Sequence, residues 1–312
     1  MARRLAIASL IAALIVLFGI LTQSLLFQDT DIIPIGRPVG TVAGTVPDTG
    51  SSMRPIPGFL VTAVEGAAKR RQGGAWRPLR SGEELAIDDA IRTGERGHVS
   101  LKVGAARVEL DADAEIVVTQ IAEAVSWVEL GRGRVEASVP GDGAMAVGVV
   151  VAGTDSTAQT SDGEFAVLKT GQRQATVAVK QGRVALTGRN ATISVAAGKQ
   201  AVLRHGQPPA QLTSIPPSLF LKIARHHRVQ RARHYVIRGR TAPGSVISVN
   251  GVPVPVSEVG EFTARVGLRE GDNQIRVEGR DALGRRAHTT TDVTRDSTAP
   301  EVEAQVQWSG EK

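Results

Sequence analysis

Six histidines, two pairs of adjacent acids and one dense run of arginines are the residues of this 312-residue chain whose types could do chemistry. The histidines are His98, His205, His226, His227, His234 and His288, and none stands at metal-ligand spacing from carboxylates. Adjacent His226 and His227 point to different sides of a helix or a strand, so they do not ligate together. Glu83-Glu84 and Asp88-Asp89 have the composition of a general acid/base pair. Both fall among turn residues, where solvated turn carboxylates are expected. Gly131-Arg132-Gly133-Arg134 carries part of a phosphate loop but lacks the remaining glycines and a following helix, so it reads as a hairpin turn. There is no Gly-x-Ser-x-Gly nucleophile elbow. With no cysteine in the chain, disulfides, thiolate metal sites and a cysteine nucleophile are excluded. The expectation is a non-enzymatic protein with no cofactor and no metal.

The segment Lys222 to Arg240 is different. It holds Lys222, Arg225, Arg228, Arg231, Arg233, Arg238 and Arg240, with three histidines and no acid. Like charges at this density repel one another, and an anionic partner would offset that cost. Lys222, Arg225, Arg228, Arg231 and Arg233 are therefore the candidate contacts to an anionic partner. The spacing of Arg225, Arg228 and Arg231 would place three guanidinium groups along one side of a short helix. A solvated linker face is the first reading of such a run, and docking to anionic polysaccharide, lipid or a partner protein is the second. The whole chain is also basic, with a formal charge of +6.

These residues must be positioned by what surrounds them. Behind Arg3 and Arg4 runs an uncharged stretch of 23 residues, Leu5 to Phe27. At about 1.5 Å per residue, it is long enough to cross a hydrocarbon core of roughly 30 Å as one helix. A cleaved signal peptide is the alternative, but the run exceeds the usual apolar length and no clean small-x-small site follows it. The positive-inside rule leaves 1–4 as a cytoplasmic stub, 5–27 as a transmembrane anchor, and the rest outside, at the inner membrane facing the periplasm. Nucleic acid is then not an expected partner. Residues 28–57, rich in Gly, Pro, Thr and Asp, read as a flexible linker with a mean span of roughly 30 Å.

From 58 to 204 apolar residues alternate in short runs: Val99, Leu101 and Val103; Val108 and Leu110; Ile116 and Val118; Val135, Ala137 and Val139. The pattern resumes at Val177 and Val179, Val184 and Leu186, and Ile193 and Val195. Period-two alternation gives each strand one buried and one wet face. Short strands broken by glycine-centred turns fit a β-solenoid or barrel better than a sandwich of long strands. The stretch Trp76-Arg77-Pro78-Leu79-Arg80-Ser81-Gly82-Glu83-Glu84-Leu85, with Asp89-Ala90-Ile91-Arg92-Thr93-Gly94, resembles the opening of a FecR domain. Val177-Ala178-Val179-Lys180-Gln181-Gly182-Arg183-Val184 and Ala196-Ala197-Gly198-Lys199-Gln200 resemble its closing strands. Two departures stand out: Asp88 replaces a family glycine, and a polar insertion separates Gly153-Thr154 from Phe165. The resemblance implies a periplasmic FecR-type β-solenoid. In the family's best-known members such a domain receives a signal from an outer-membrane receptor.

After a basic connector at 205–234, residues 235–299 read as a second domain. Asn250-Gly251 between apolar runs is a strong hairpin signal, because both central residues of the tight turn need positive φ. Six or seven short strands suggest a β-sandwich. The turn set of Pro-Gly, Val-Asn-Gly, Gly-x-Phe and Asp-x-x-Gly is similar to bacterial immunoglobulin-like modules. Residues 300–312 form a tail. The expected fold is thus an all-β outer region, a FecR-type β-solenoid plus a C-terminal immunoglobulin-like β-sandwich, with one N-terminal transmembrane helix.

The leading expectation for function is an anchored envelope protein that binds or scaffolds an envelope protein or an anionic cell-wall polymer. The second is a trans-envelope signalling component acting with a separate cytoplasmic regulator, and the third a hydrolase with an unrecognised site. Topology is directly testable. A reporter active only outside the cytoplasm, fused after Lys312, is expected to be active on a protein whose first residues remain attached. Recovery of a soluble form beginning near Leu25 would replace the anchor with a signal peptide.

Overall fold

Alternation at period two is what the backbone obeys almost everywhere. The computed structural model describes residues 58–298 apart from 123, 142–144, 210 and 225–228. The apolar run at 5–27, the linker at 28–57 and the tail at 300–312 lie outside the described residues. Among those described, the chain is all-β, with 25 strands and no helix long and apolar enough to cross a membrane.

Seventeen strands form one large sheet folded over into two layers. The chain starts in the first layer with β1 (Phe59–Glu65) and crosses to the second for β2 (Ala68–Arg71) and β3 (Arg77–Pro78). It returns for β4 (Glu84–Leu85) and crosses again for β5 (Ala90–Thr93). The hairpin β6 (His98–Val103) and β7 (Ala106–Leu110) lies in the first layer, and β8 (Glu115–Gln120) and β9 (Val125–Arg132) in the second. Next come β10 (Arg134–Val139) in the first, β11 (Ala146–Val151) and β12 (Thr157–Thr160) in the second, and β13 (Gly163–Gly171) in the first. The long β14 (Gln174–Gly188) belongs to both layers, pairing β16 through one half and β15 (Ala191–Ala196) through the other. β16 (Lys199–Arg204) and β17 (Thr213–Ser214) end the first layer. The path shuttles between the layers while advancing along them. Nearly every neighbour is antiparallel; β9 and β11 pair parallel.

β14 changes layers at a point of close backbone approach. Gly163 faces Gly182 across the ladder, and a Cβ on Gly182 would lie 2.2 Å from the Asp162 carbonyl. Gly182 also has φ +67°, which glycine adopts without penalty.

The alternating apolar residues named from the sequence fill the space between the layers. Val99, Leu101, Val108, Leu110, Ile116, Val118, Val135, Ala137, Val177, Val179, Val184 and Leu186 are all buried in one cluster with Phe59 and Phe165. Gly131–Arg134 corrects the hairpin expectation. β9 and β10 do not pair with each other, and the segment is a corner carrying the chain from one layer to the other. The polar insertion before Phe165 supplies β12.

Eight further strands form two small sheets. β18 (Leu221–Ile223), β19 (Val229–Gln230), β20 (His234–Thr241), β21 (Val246–Val249) and β22 (Val252–Val254) are followed by β23 (Glu261–Gly267), β24 (Gly271–Arg280) and β25 (Arg286–Arg295). One sheet runs β18-β20-β23 and the other β19-β25-β24-β21-β22. Tyr235, Ile237 and Phe262 of the first share a core with Ile247, Val249, Ile275, Val277 and Val293 of the second. Asn250 and Gly251 take φ +49° and +79° in the β21–β22 hairpin, as the sequence suggests. β18 and β19 fall within 205–234, the stretch expected to be a connector.

The two β-modules belong to one compact unit. Leu168 and Ala178 of β13 and β14 pack on Ala282, with Ile215, Val246 and Leu283 around them. Beside this apolar contact sits Arg134, the last residue of the layer-crossing corner and the first of β10. Its Nε donates to the Ala282 carbonyl at 2.6 Å, its Nη1 to Asp111 at 2.8 Å, and its Nη2 to Glu136. Arg280 reaches back to the same Asp111. Thr176 Oγ1 donates to the Gly244 carbonyl at 2.9 Å, and Arg285 Nη1 to the Pro216 carbonyl at 2.8 Å.

Burial pushes the Asp111 carboxyl upward, but the Arg134 and Arg280 guanidiniums outweigh it and hold its pKa below the usual carboxylate range. An acid whose folded pKa lies below its unfolded value, about 3.9, stabilises fully above that pH. The contribution is lost as pH falls through the folded value. Acid titration of unfolding is therefore expected to be shallower below about pH 4 in Asp111→Asn than in the parent. Arg134→Ala leaves two acids short of a buried partner and is expected to cost about 3 kcal/mol in denaturant unfolding. An unchanged midpoint would refute the joint. A fragment of 216–298 retains all eight small-sheet strands and is expected to melt cooperatively, whereas 234–298 lacks β18 and β19 and melts lower or not at all. Equal melts would mean those two strands contribute nothing.

Candidate anion-binding face

The sequence of β20, His234-Tyr235-Val236-Ile237-Arg238-Gly239-Arg240-Thr241, alternates without a break. Tyr235, Ile237, Gly239 and Thr241 turn inward, and His234, Val236, Arg238 and Arg240 turn to solvent. Gly239 has a packing reason: a Cβ there would lie 2.4 Å from the Phe262 ring and 2.6 Å from the Lys222 carbonyl. Its small size lets β18 and the Phe262 side chain close against β20.

Residues opposite one another on paired strands share a face. Lys222 faces Arg240, and Arg240 faces Glu261. Arg238 faces Thr263, and Val236 faces Arg265. The outer surface of the three-stranded sheet thus gathers Lys222, Arg238, Arg240 and Arg265 around Val236, which is 47% exposed. Among the described residues the acid on this face is Glu261, which stands 3.8 Å from Arg240, and both are about two-thirds exposed. Such a pair contributes little.

The structure distributes the residues proposed from the sequence unevenly. Lys222 lies on the face, within β18. Arg231 and Arg233 are exposed in the short link from β19 to β20, where Arg231 lies near Asp296. Arg225 and Arg228 lie outside the described residues. Val229–Gln230, between Arg228 and Arg231 in sequence, is a strand paired with β25. Arg265 was missed because it lies outside the basic run, although its place in Phe262-Thr263-Ala264-Arg265-Val266 gives the outward register. Arg238 and Arg240 were noted as charges and not as partners of Lys222.

The other chemistry-bearing groups take structural parts. Asp89 is fully buried, correcting the expectation of a solvated turn carboxylate, and accepts from Arg70 Nη2 at 2.5 Å and the Ala86 amide at 2.7 Å. Glu83 accepts from Arg70 and Arg77. Its pKa is raised by slight burial and lowered more by those guanidiniums, so it ends below the usual range. Asp88 sits at φ +71°, in the left-handed region that glycine adopts most readily. Trp76 carries Arg92 and Arg71 at 4.3 and 4.9 Å from its ring centre. His98 contacts Glu109 at 2.6 Å, within the ionic network at the module joint. Among the described residues no group of three or more His, Asp or Glu side chains could hold a metal ion.

No family model and no curated protein matches the chain. Among solved structures, it is similar to two crystal structures of a putative anti-sigma factor from Parabacteroides distasonis. Identity is 16% and 15%, 40% of this chain and 59% of that one are covered, and the TM-score is 0.35. A polysaccharide lyase matches over 78% of this chain and 40% of its own, at 14% identity and a TM-score of 0.19. The chain thus spans less than two thirds of the length of each. At these TM-scores the likeness fixes neither fold nor activity.

Proposed function

We propose that this chain is a non-catalytic protein of the bacterial envelope that binds or scaffolds an anionic partner through its outer β-modules. It is held at the inner membrane by the apolar run at 5–27, with the remainder in the periplasm. In this reading the two-layered module is a FecR-type β-solenoid and the following one an immunoglobulin-like sandwich. The observation that carries the proposal is the exposed face holding Lys222, Arg238, Arg240 and Arg265, against Glu261 as the acid among its described residues. Cations packed this closely repel one another, and an anionic neighbour relieves that repulsion.

The test is sedimentation of the protein with isolated envelope at low and high salt. Replacing Lys222, Arg238, Arg240 and Arg265 together with Gln is expected to reduce binding at least tenfold at low salt, since each charge near an anionic surface contributes about 1 kcal/mol. The melting temperature is expected to stay close to the parent's, because exposed charges add little to stability. Above about 1 M salt, where the screening length falls to about 3 Å, parent and variant should converge. Envelope binding that ignores both the substitutions and the salt would sink the proposal.

A further inference from the structure

Within that reading, on which this step rests, the arrangement of the charges narrows the class of partner. We infer that the face of β18, β20 and β23 is a track for one extended polyanion bearing regularly spaced carboxylates, of the acidic-polysaccharide class, lying along β20.

Three observations converge. First, the cations follow a line. Arg240, Arg238, Val236 and His234 are alternate residues of one strand and point the same way, so each step is about 6.7 Å and the run spans about 20 Å. Lys222 widens one end beside Arg240, and Arg265 sits next to Val236. Arg233 and Arg231, both exposed, precede the His234 end in sequence, and Arg231 lies near Asp296. Second, acids stand at both ends of β23. Glu261 opens it and faces Arg240, exposed Glu258 precedes it and pairs with Arg204, and exposed Glu270 follows it, held by Ser297 and Arg295. A broad anionic plane such as a bilayer would meet more of these carboxylates than a narrow chain along β20, which meets Glu261 at the Arg240 end. Third, the line is interrupted by exposed Val236, an apolar seat between Arg238 and His234 where a sugar ring can rest while its carboxylates reach the guanidiniums on either side. A guanidinium offers paired donors that match a carboxylate's two oxygens, which suits arginine to this partner better than lysine.

The experiment uses the folded outer region with both modules, residues 58–298. Binding of oligogalacturonates of two to ten residues is measured by calorimetry, alongside phosphatidylglycerol vesicles. Affinity is expected to rise with oligomer length until the track of about 20 Å is covered, and then to level. Arg238→Gln, Arg240→Gln and Arg265→Gln together are expected to weaken the longer oligomers about tenfold or more. Removing Lys102, Arg107 and Arg183, three exposed cations of the other module, takes away equal charge and is expected to change affinity less than about threefold. Amide chemical-shift changes should fall on β18, β20 and β23.

Binding to vesicles but not to oligogalacturonate would overturn the polysaccharide inference and leave an anionic partner standing. Equal weakening by both triple variants would also overturn it, by reducing the effect to net charge. Absence of binding to either probe, with no salt-dependent binding to envelope, would remove the proposed function as well.

Discussion

Arg134 is the side chain on which the arrangement of the modules turns. A guanidinium that is 6% exposed is costly unless each of its donors finds an acceptor, and this one finds three in different parts of the chain. Asp111 follows the end of β7, Glu136 lies on β10 itself, and the Ala282 carbonyl comes from the second module. Each acceptor alone would be an ordinary contact. Together they tie the corner between the layers to the turn that follows β24. Asp111 is in turn shared with Arg280, so the tie is reinforced from the opposite side. Replacing any one member leaves the others with unmet charge, which is why such networks resist change more than their net contribution to stability suggests.

The cores around that tie are built without disulfides and with few aromatics. With aromatic residues at 3% and no cysteine, close packing must come from branched aliphatic side chains on strands. The two-layered module meets this by repetition. Each crossing adds a short strand whose alternate residues enter the same interior, so the cluster grows along the layers. The second module has a smaller core and takes Tyr235 and Phe262 into it. Its contact with Leu168 and Ala178 covers apolar surface that a module of this size leaves exposed. The second module therefore packs directly against β13 and β14 of the first.

What the sequence disclosed follows from how local each signal is. Val99-Leu101-Val103 and its counterparts announce both strand and burial, because side-chain direction is set within two residues. Asn250-Gly251 announces its hairpin because the demand for positive φ is met on the spot. Gly131–Arg134 misled because a glycine-rich reversal looks the same whether the strands beside it pair or part to different layers. Asp89 misled for a related reason. Its neighbours are turn residues, but Arg70, 19 residues earlier, arrives across the β2–β5 pairing and buries it. The connector misled because β18 and β19 are three and two residues long, too short to show a period. They exist through partners, Arg240 and Gly239 for one and Thr294 and Arg295 for the other.

The same distinction explains why the basic face was only half legible. A helix spreads consecutive charges around its axis, so a basic run there would be read by its three- and four-residue spacings. A strand sends alternate residues to one side, and what lies beside them is decided by register with other strands. Arg238 and Arg240 were in view, but their alignment with Lys222 required β18 to pair, and Arg265 required the register of β23. The tight closure of that sheet depends on Gly239, whose missing side chain admits the Phe262 ring and the Lys222 carbonyl. A residue with no charge thus decides where the charges stand. Packing on the inner side of β20 fixes the strand that carries the outer side, and a change at Gly239 would disturb the face without touching a single cation.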